Sequence, residues 1–165
     1  MDVAPTLLSL ITITKSDPSG LVRTAESTSV WGHPGIEHIV VDGSDETDVS
    51  QVRAICLRYK LCYHYRRPGG ISDAFNFGLS EARGEWVWFL NGGDALHEDI
   101  DPAWLLSLLN QTRSDVVCGA VQFDGEPMPR SMPLLKQQWP LVVCWPLHPA
   151  AIVRRRVLRE AGGFD

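Results

Sequence analysis

Three aspartates, Asp42, Asp73 and Asp94, follow strand-like apolar runs in this chain. Asp94 closes the most telling one. Residues 84–94 read Gly-Glu-Trp-Val-Trp-Phe-Leu-Asn-Gly-Gly-Asp. Residues 86–90 form a continuous apolar run, and Asn91, two glycines and a single acid end it. A polar turn at the carboxyl end of a buried strand is where open α/β sheets bind ligands. A carboxylate there suits a hard cation, and the glycines let the backbone approach a phosphate closely. The chemistry implied is a metal-assisted nucleotide site.

Each acid also has an ordinary alternative. Asp42-Gly43-Ser44-Asp45 is turn chemistry, Asp73 complements the positive end of a helix, and Asp94 suits a turn or a cap. Three acids along one edge of one sheet favour a site over three coincidences. The loop Arg66-Arg67-Pro68-Gly69-Gly70 adds guanidinium groups, which bind phosphate in a bidentate manner; a solvated basic loop is the alternative. The chain contains neither G-x-x-x-x-G-K-[ST] nor G-x-G-x-x-G, so no P-loop and no dinucleotide fingerprint is present. His148 stands between prolines in Trp145-Pro146-Leu147-His148-Pro149, where an extended backbone would direct the imidazole. It is a candidate ligand, with an ordinary hydrogen-bonding histidine as the alternative.

The elements that must position these residues alternate in type. Residues 7–14 are rich in β-branched side chains and predict a first strand, and residues 21–30 a short helix after the 16–20 turn. Residues 36–41 predict a second strand. Val49, Val52, Cys56 and Tyr59 are spaced as on a helix, with Thr47 as its N-cap. Residues 61–65 predict a third strand. Ser72 is expected to cap a helix whose apolar face carries Ala74, Phe75, Leu79 and Ala82. Residues 86–90 form the next strand, and Asp101-Pro102 starts a helix through Leu109. A strand over 115–123, a loop over 124–133, a strand over 150–153 and a helix over 155–161 complete the pattern. Trp86, Trp88 and Trp104 are expected in the core, and Arg154-Arg155-Arg156 as a solvated helix start. Strands alternating with helices predict an α/β fold: a Rossmann-like, mostly parallel sheet with helices on both faces.

Composition sets the bounds. The chain has 165 residues, 44% hydrophobic and 21% charged, which suits one domain with a real core. Its net charge of -5 gives no support to nucleic-acid binding, so no nucleic-acid partner is expected. The four cysteines form no C-x-x-C, and reduced, buried thiols are expected. The first residues lack the basic and apolar regions of a signal peptide, and no apolar run reaches the ~20 residues of a membrane span. The expected location is cytoplasmic, with peripheral association at the inner membrane face left open.

Together these motifs resemble family 2 glycosyltransferases, which have the GT-A fold. The resemblance runs over residues 7–165. Ile-Thr-Ile-Thr-Lys at 11–15 resembles the family's opening strand. Val-Val-Asp-Gly-Ser-Asp-Glu-Thr-Asp at 40–48 is similar to its V-D-G-x-S-x-D-x-T turn. Gly-Ile-Ser-Asp-Ala-Phe-Asn-Phe-Gly-Leu at 70–79 resembles its G-I-x-D-A-x-N-x-G-I helix start, and 84–94 the G-E-x-x-x-F-L-N-x-G-D form of its metal motif. Leu-His-Pro at 147–149 and Gly-Gly-Phe-Asp at 162–165 resemble two later signatures.

The resemblance implies a single nucleotide-sugar-binding GT-A domain over 1–165. It implies an inverting glycosyltransferase that moves a sugar from a nucleotide-diphospho-sugar donor to a glycan or lipid-linked acceptor, as in polysaccharide biosynthesis. Asp42 would contact the base or ribose, Asp73 would line the nucleotide pocket, and Thr12, Arg67 and Asn91 would be further donor-binding residues. Asp94 would hold Mg²⁺ or Mn²⁺, with His148 adding a contact to the metal or diphosphate. Two departures stand out. The family's D-x-D motif has two acids, whereas Asn91 and Gly93 leave only Asp94 here. Phe75 stands where a family variant has arginine, and Arg66 or Arg67 would compensate. The family's usual base is an acid downstream of G-G-F-D, and this chain stops at Asp165, the catalytic candidate that remains. The expectation is a domain truncated at its C-terminus that lacks part of the acceptor half. A catalytically incomplete nucleotide-sugar-binding module and a nucleotidyltransferase are the alternatives. The missing glycine-rich basic loop after strand one counts against the latter.

Overall fold

The computed structural model describes residues 5–29, 31–67, 69–123, 126–127 and 148–165. Its elements are β1 (Leu8–Thr14), α1 (Pro18–Ser29), β2 (Ile36–Asp42), α2 (Glu46–Tyr59), β3 (Cys62–Tyr65), α3 (Ile71–Glu81), β4 (Trp86–Asn91), α4 (Pro102–Gln111), β5 (Val116–Cys118), β6 (Gln122–Phe123), β7 (Glu126–Pro127), a 3₁₀ turn (His148–Ala150), β8 (Ala151–Arg154) and α5 (Arg155–Glu160). The main sheet has six strands in the order β3-β2-β1-β4-β8-β5. β3, β2, β1 and β4 are parallel, and β8 runs antiparallel to both β4 and β5. The mostly parallel α/β sheet expected from the sequence is therefore the one observed. No helix among the described residues is long and apolar enough to cross a membrane.

Alternate residues of each strand face opposite layers. On one face Leu8, Leu10, Trp86, Trp88 and Leu90 pack against Leu105, Leu106 and Leu109 of α4. Val40 meets Leu21 of α1 and Val52 and Cys56 of α2 on that same side. On the other face Ile11, Val41, Val87 and Phe89 pack against Phe75 and Leu79 of α3, with Leu158 and Phe164 alongside. Gly78 allows the closest approach of α3 to the sheet, because a Cβ there would run into the Ile11 side chain.

Two polar links cross this interior. Glu37 accepts hydrogen bonds from Ser9 Oγ (2.6 Å), the Arg83 N–H (2.7 Å) and Arg83 Nε (2.8 Å). Burial alone would raise its pKa, but these donors outweigh burial and hold the carboxyl below its usual value. His38 is buried, with Nε2 2.9 Å from Thr12 Oγ1 and Nδ1 3.1 Å from Thr28 Oγ1. Burial pushes its pKa down to about 4, so the ring is neutral at physiological pH.

Several expectations need correction. Thr47 lies inside α2, and Asp45 occupies the cap position. Ser72 lies in the first turn of α3, after Gly70 at φ 112°, and its hydroxyl donates to the Asp165 carbonyl instead of capping. Asp101 does cap α4, accepting from the Ala103 N–H at 2.9 Å. The 115–123 strand is split into β5 and β6 around Gly119, a residue that weakens strand interiors. Trp86 and Trp88 are core residues, but Trp104 is 60% exposed, since the inward face of α4 belongs to its leucines. Cys56 is buried, whereas Cys62 and Cys118 are exposed because β3 and β5 are the sheet's edge strands. Arg154 is not a solvated start: its guanidinium lies over the Trp86 ring at 4.4 Å and pairs with Glu85 and Asp115. Cys144 and most of the 124–133 loop lie outside the described residues.

Candidate functional site

The carboxyl ends of β1, β2 and β4 meet at one edge. Register places Thr14 beside Asp42, and Ile13 beside Asn91. A cavity of about 440 Å³ opens there, walled by Thr14 and Lys15, by Gly43, by Asn91 and Gly92, and by the 66–74 segment that leads into α3.

The turn after β4 continues that wall. Asp94 Oδ2 accepts from the Asn91 N–H at 2.8 Å and from Asn91 Nδ2 at 3.2 Å. Gly93 makes the bend at φ 102°, a conformation glycine adopts without steric cost. Asp94 is half-buried, and its Oδ1 has no hydrogen bond among the described residues.

His148 opens a 3₁₀ turn, not the extended segment its prolines suggested. Trp88 Nε1 donates to the Pro149 carbonyl at 2.7 Å and anchors that turn to β4. The imidazole packs against Phe75 and Phe89, with centroids 4.9 and 6.0 Å away. Burial lowers its pKa while the Asp94 charge acts to raise it, so the two residues lie within electrostatic reach. Its Nε2 is buried without a hydrogen-bond partner among the described residues.

Asp73 and Arg67 both line the cavity. Asp73 is bound by Arg66 through two bonds, Nε to Oδ2 at 2.9 Å and Nη2 to Oδ1 at 3.0 Å. The Arg66 guanidinium holds the carboxyl below its usual range. Arg66 also lies 4.8 Å over the Phe77 ring, so it is already committed, while Arg67 is exposed and forms no ion pair among the described residues.

Asp42 and Thr12 sit behind the wall. Asp42 is fully buried, accepting from the Ser44 N–H at 2.8 Å and the Tyr63 hydroxyl at 2.9 Å. Thr12 is spent on His38, two residues short of the edge. Sequence reasoning missed Thr14, which lines the cavity and whose buried Oγ1 has no partner among the described residues. The rule that ligands sit outside strand carboxyl ends points to Thr14, the last residue of β1.

The 162–165 segment docks on α3. The Phe164 N–H donates to Asn76 Oδ1 and Asn76 Nδ2 donates to the Phe164 carbonyl, both at 2.8 Å. Phe164 packs on Phe75 and Phe89. The Asp165 main chain is thereby held beside Ser72, with its side chain exposed.

No group of three His, Cys, Asp or Glu residues that would cage a metal exists among the described residues. The donor set is one carboxylate with an unpartnered imidazole in its field. That fits a hard cation taking most of its ligands from phosphate oxygens and water, and does not fit a protein-only cage.

Residues 9–160 match the sequence model described as Glycosyl transferase family 2. An uncharacterized glycosyltransferase of Mycobacterium tuberculosis is 39% identical over 95 residues, which is 57% of this chain and 36% of the relative. The chain thus spans about a third of the length of that curated relative. The crystal structure of S. aureus TarS 1-349 in complex with UDP superposes with a TM-score of 0.74 at 21% identity, over 96% of this chain and 50% of that one. A mannosyltransferase from Pyrobaculum calidifontis, in complex with GDP-Man and Mn2+, gives 0.64 at 18% identity, over 99% of this chain and 50% of its own. These likenesses establish the fold, the GT-A arrangement that the motifs implied.

Proposed function

The chain belongs to glycosyl transferase family 2, and on that premise we propose that it binds a nucleotide-diphospho-sugar at the β1–β4 edge and transfers the sugar, with inversion, to a glycan or lipid-linked acceptor. The observation that carries this reading is the cavity at the strand ends, bounded by the Asn91–Gly92 wall that leads into Asp94. The UDP and GDP-Man bound by the structural neighbours support it.

In this reading Asp94 would hold Mg²⁺ or Mn²⁺, with His148 adding a contact to the metal or the diphosphate. The cation, when bound, neutralises charge on the departing nucleoside diphosphate. Arg67 and Lys15 contact the phosphates. Asp73, oriented by Arg66, lines the nucleoside end. Asp42 serves that end by fixing the 43–44 backbone. Transfer with inversion needs a base for the acceptor hydroxyl, and Asp165, held beside Ser72 through its main chain, is this chain's candidate.

A second reading keeps donor binding without transfer. The single carboxylate of the metal turn favours it, because one acid holds a cation less firmly than two. Calorimetry with UDP, GDP and their sugars, with and without Mn²⁺, tests both. The expected result is binding strengthened by Mn²⁺, with that gain cut at least ~10-fold in Asp94→Ala. Absence of binding to every nucleotide overturns both readings, and release of nucleoside diphosphate from the sugar separates enzyme from binding module.

A further inference from the structure

The turn that bears Asp94 is held from beneath by one face of α1. Gly20, Thr24 and Ser27 follow one another at helical spacings of four and three residues, so they line a single stripe. At Gly20 the helix comes so close that a Cβ would sit 3.1 Å from the Gly93 nitrogen. Thr24, wholly buried, accepts from the Gly93 N–H at 3.0 Å and donates to the Asp94 carbonyl at 2.6 Å. Ser27 Oγ accepts from the Leu96 N–H at 3.1 Å. A threonine hydroxyl has one proton to donate and lone pairs to accept with. Here it bridges the donor and the acceptor that flank the Asp94 side chain in the backbone.

Leu21, Ala25 and Thr28 bury α1 against the sheet, and Thr24, buried with them, bonds the turn after β4. These bonds tie down the main chain on both sides of the Asp94 Cα, while the carboxylate itself is bonded to Asn91. Mutating a group that orients a metal ligand without touching the metal typically costs ~10–100-fold in metal affinity. We infer that Thr24, supported by Ser27, is a positioning residue that sets Asp94 for the donor's cation and diphosphate. The inference rests on the donor-site reading of Asp94.

The test uses the full chain and two readouts. The first is hydrogen exchange at the Gly93 amide without ligand, followed by NMR. The second is affinity for UDP and GDP with and without Mn²⁺. Thr24→Val is expected to speed exchange at Gly93 and to weaken Mn²⁺-dependent binding about 10-fold, while metal-free binding is unchanged. Thr24→Ser, which keeps the hydroxyl, restores both. Unchanged Gly93 exchange in Thr24→Val overturns the inference, as does an equal loss of metal-free and metal-dependent binding. Should Thr24→Val not fold, Ser27→Ala must show the same selective loss on a smaller scale, and its absence overturns the inference. Where Asp94→Ala loses Mn²⁺-dependent binding and Thr24→Val does not, this inference alone falls. Where the native chain shows no such binding, the donor reading falls and the positioning role falls with it.

Discussion

His38 shows how much single residues here depend on their surroundings. With both ring nitrogens bonded to threonine hydroxyls and water excluded, it protonates only near pH 4. An unfolded histidine protonates near 6.5, so its contribution is present above that value and lost as pH falls toward 4. The loss amounts to about 2 kcal/mol between pH 7 and pH 5. Urea midpoints over that range will fall in the native chain, and the His38→Gln variant will lose most of that slope. The positions of the candidate residues were legible to different degrees for equally local reasons. Asp94 stands out because an apolar run, two glycines and one acid announce a strand end. Asp42 carries a similar turn signature, but strand alternation sends its carboxylate inward to Tyr63 and Ser44. Thr12 and Thr14 look alike in sequence, and only the point where β1 ends tells them apart.

At the scale of elements, strands were easier to read than helix starts. β1, β2 and β4 are dense in branched and aromatic residues, and no competing signal overlaps them. Helix starts turned on backbone geometry that composition does not encode. Gly70 takes a φ of 112° before α3, and Ser72 in the first turn bonds the Asp165 main-chain oxygen. The His148 segment forms a 3₁₀ turn, and the Trp88–Pro149 bond anchors it to β4. The α3 sequence also hides a tertiary demand. Its Asn76 is bound reciprocally to Phe164, 88 residues away, and its Gly78 rests on Ile11. Gly78→Ala is expected to cost about 1–3 kcal/mol despite alanine's better helix propensity, since the methyl must displace a fully buried side chain. Urea unfolding checks this, and a stabilised variant would contradict the close packing of α3 on the sheet.

At the scale of the whole molecule, the alternation of strands and helices made the architecture legible, because parallel strands require crossover helices. The antiparallel insertion of β8 between β4 and β5 was not legible, as sequence order says nothing of which edge a late strand joins. That insertion brings His148 from the far end of the chain to the rim of β4. The net charge is -5, yet the cavity's mouth carries Lys15 and Arg67, which suits an anionic ligand on an acidic protein. The central claim is that a divalent cation and a nucleoside diphosphate meet at this edge. Paramagnetic broadening by trace Mn²⁺ in amide NMR spectra, recorded with and without UDP or GDP, tests it most directly. Nucleotide-dependent loss of signal is expected at 91–95 and around His148, with Arg156 and Arg159 of α5 spared. Broadening confined to surface acids such as Glu98, Asp99 and Glu160, and unchanged by nucleotide, would contradict it.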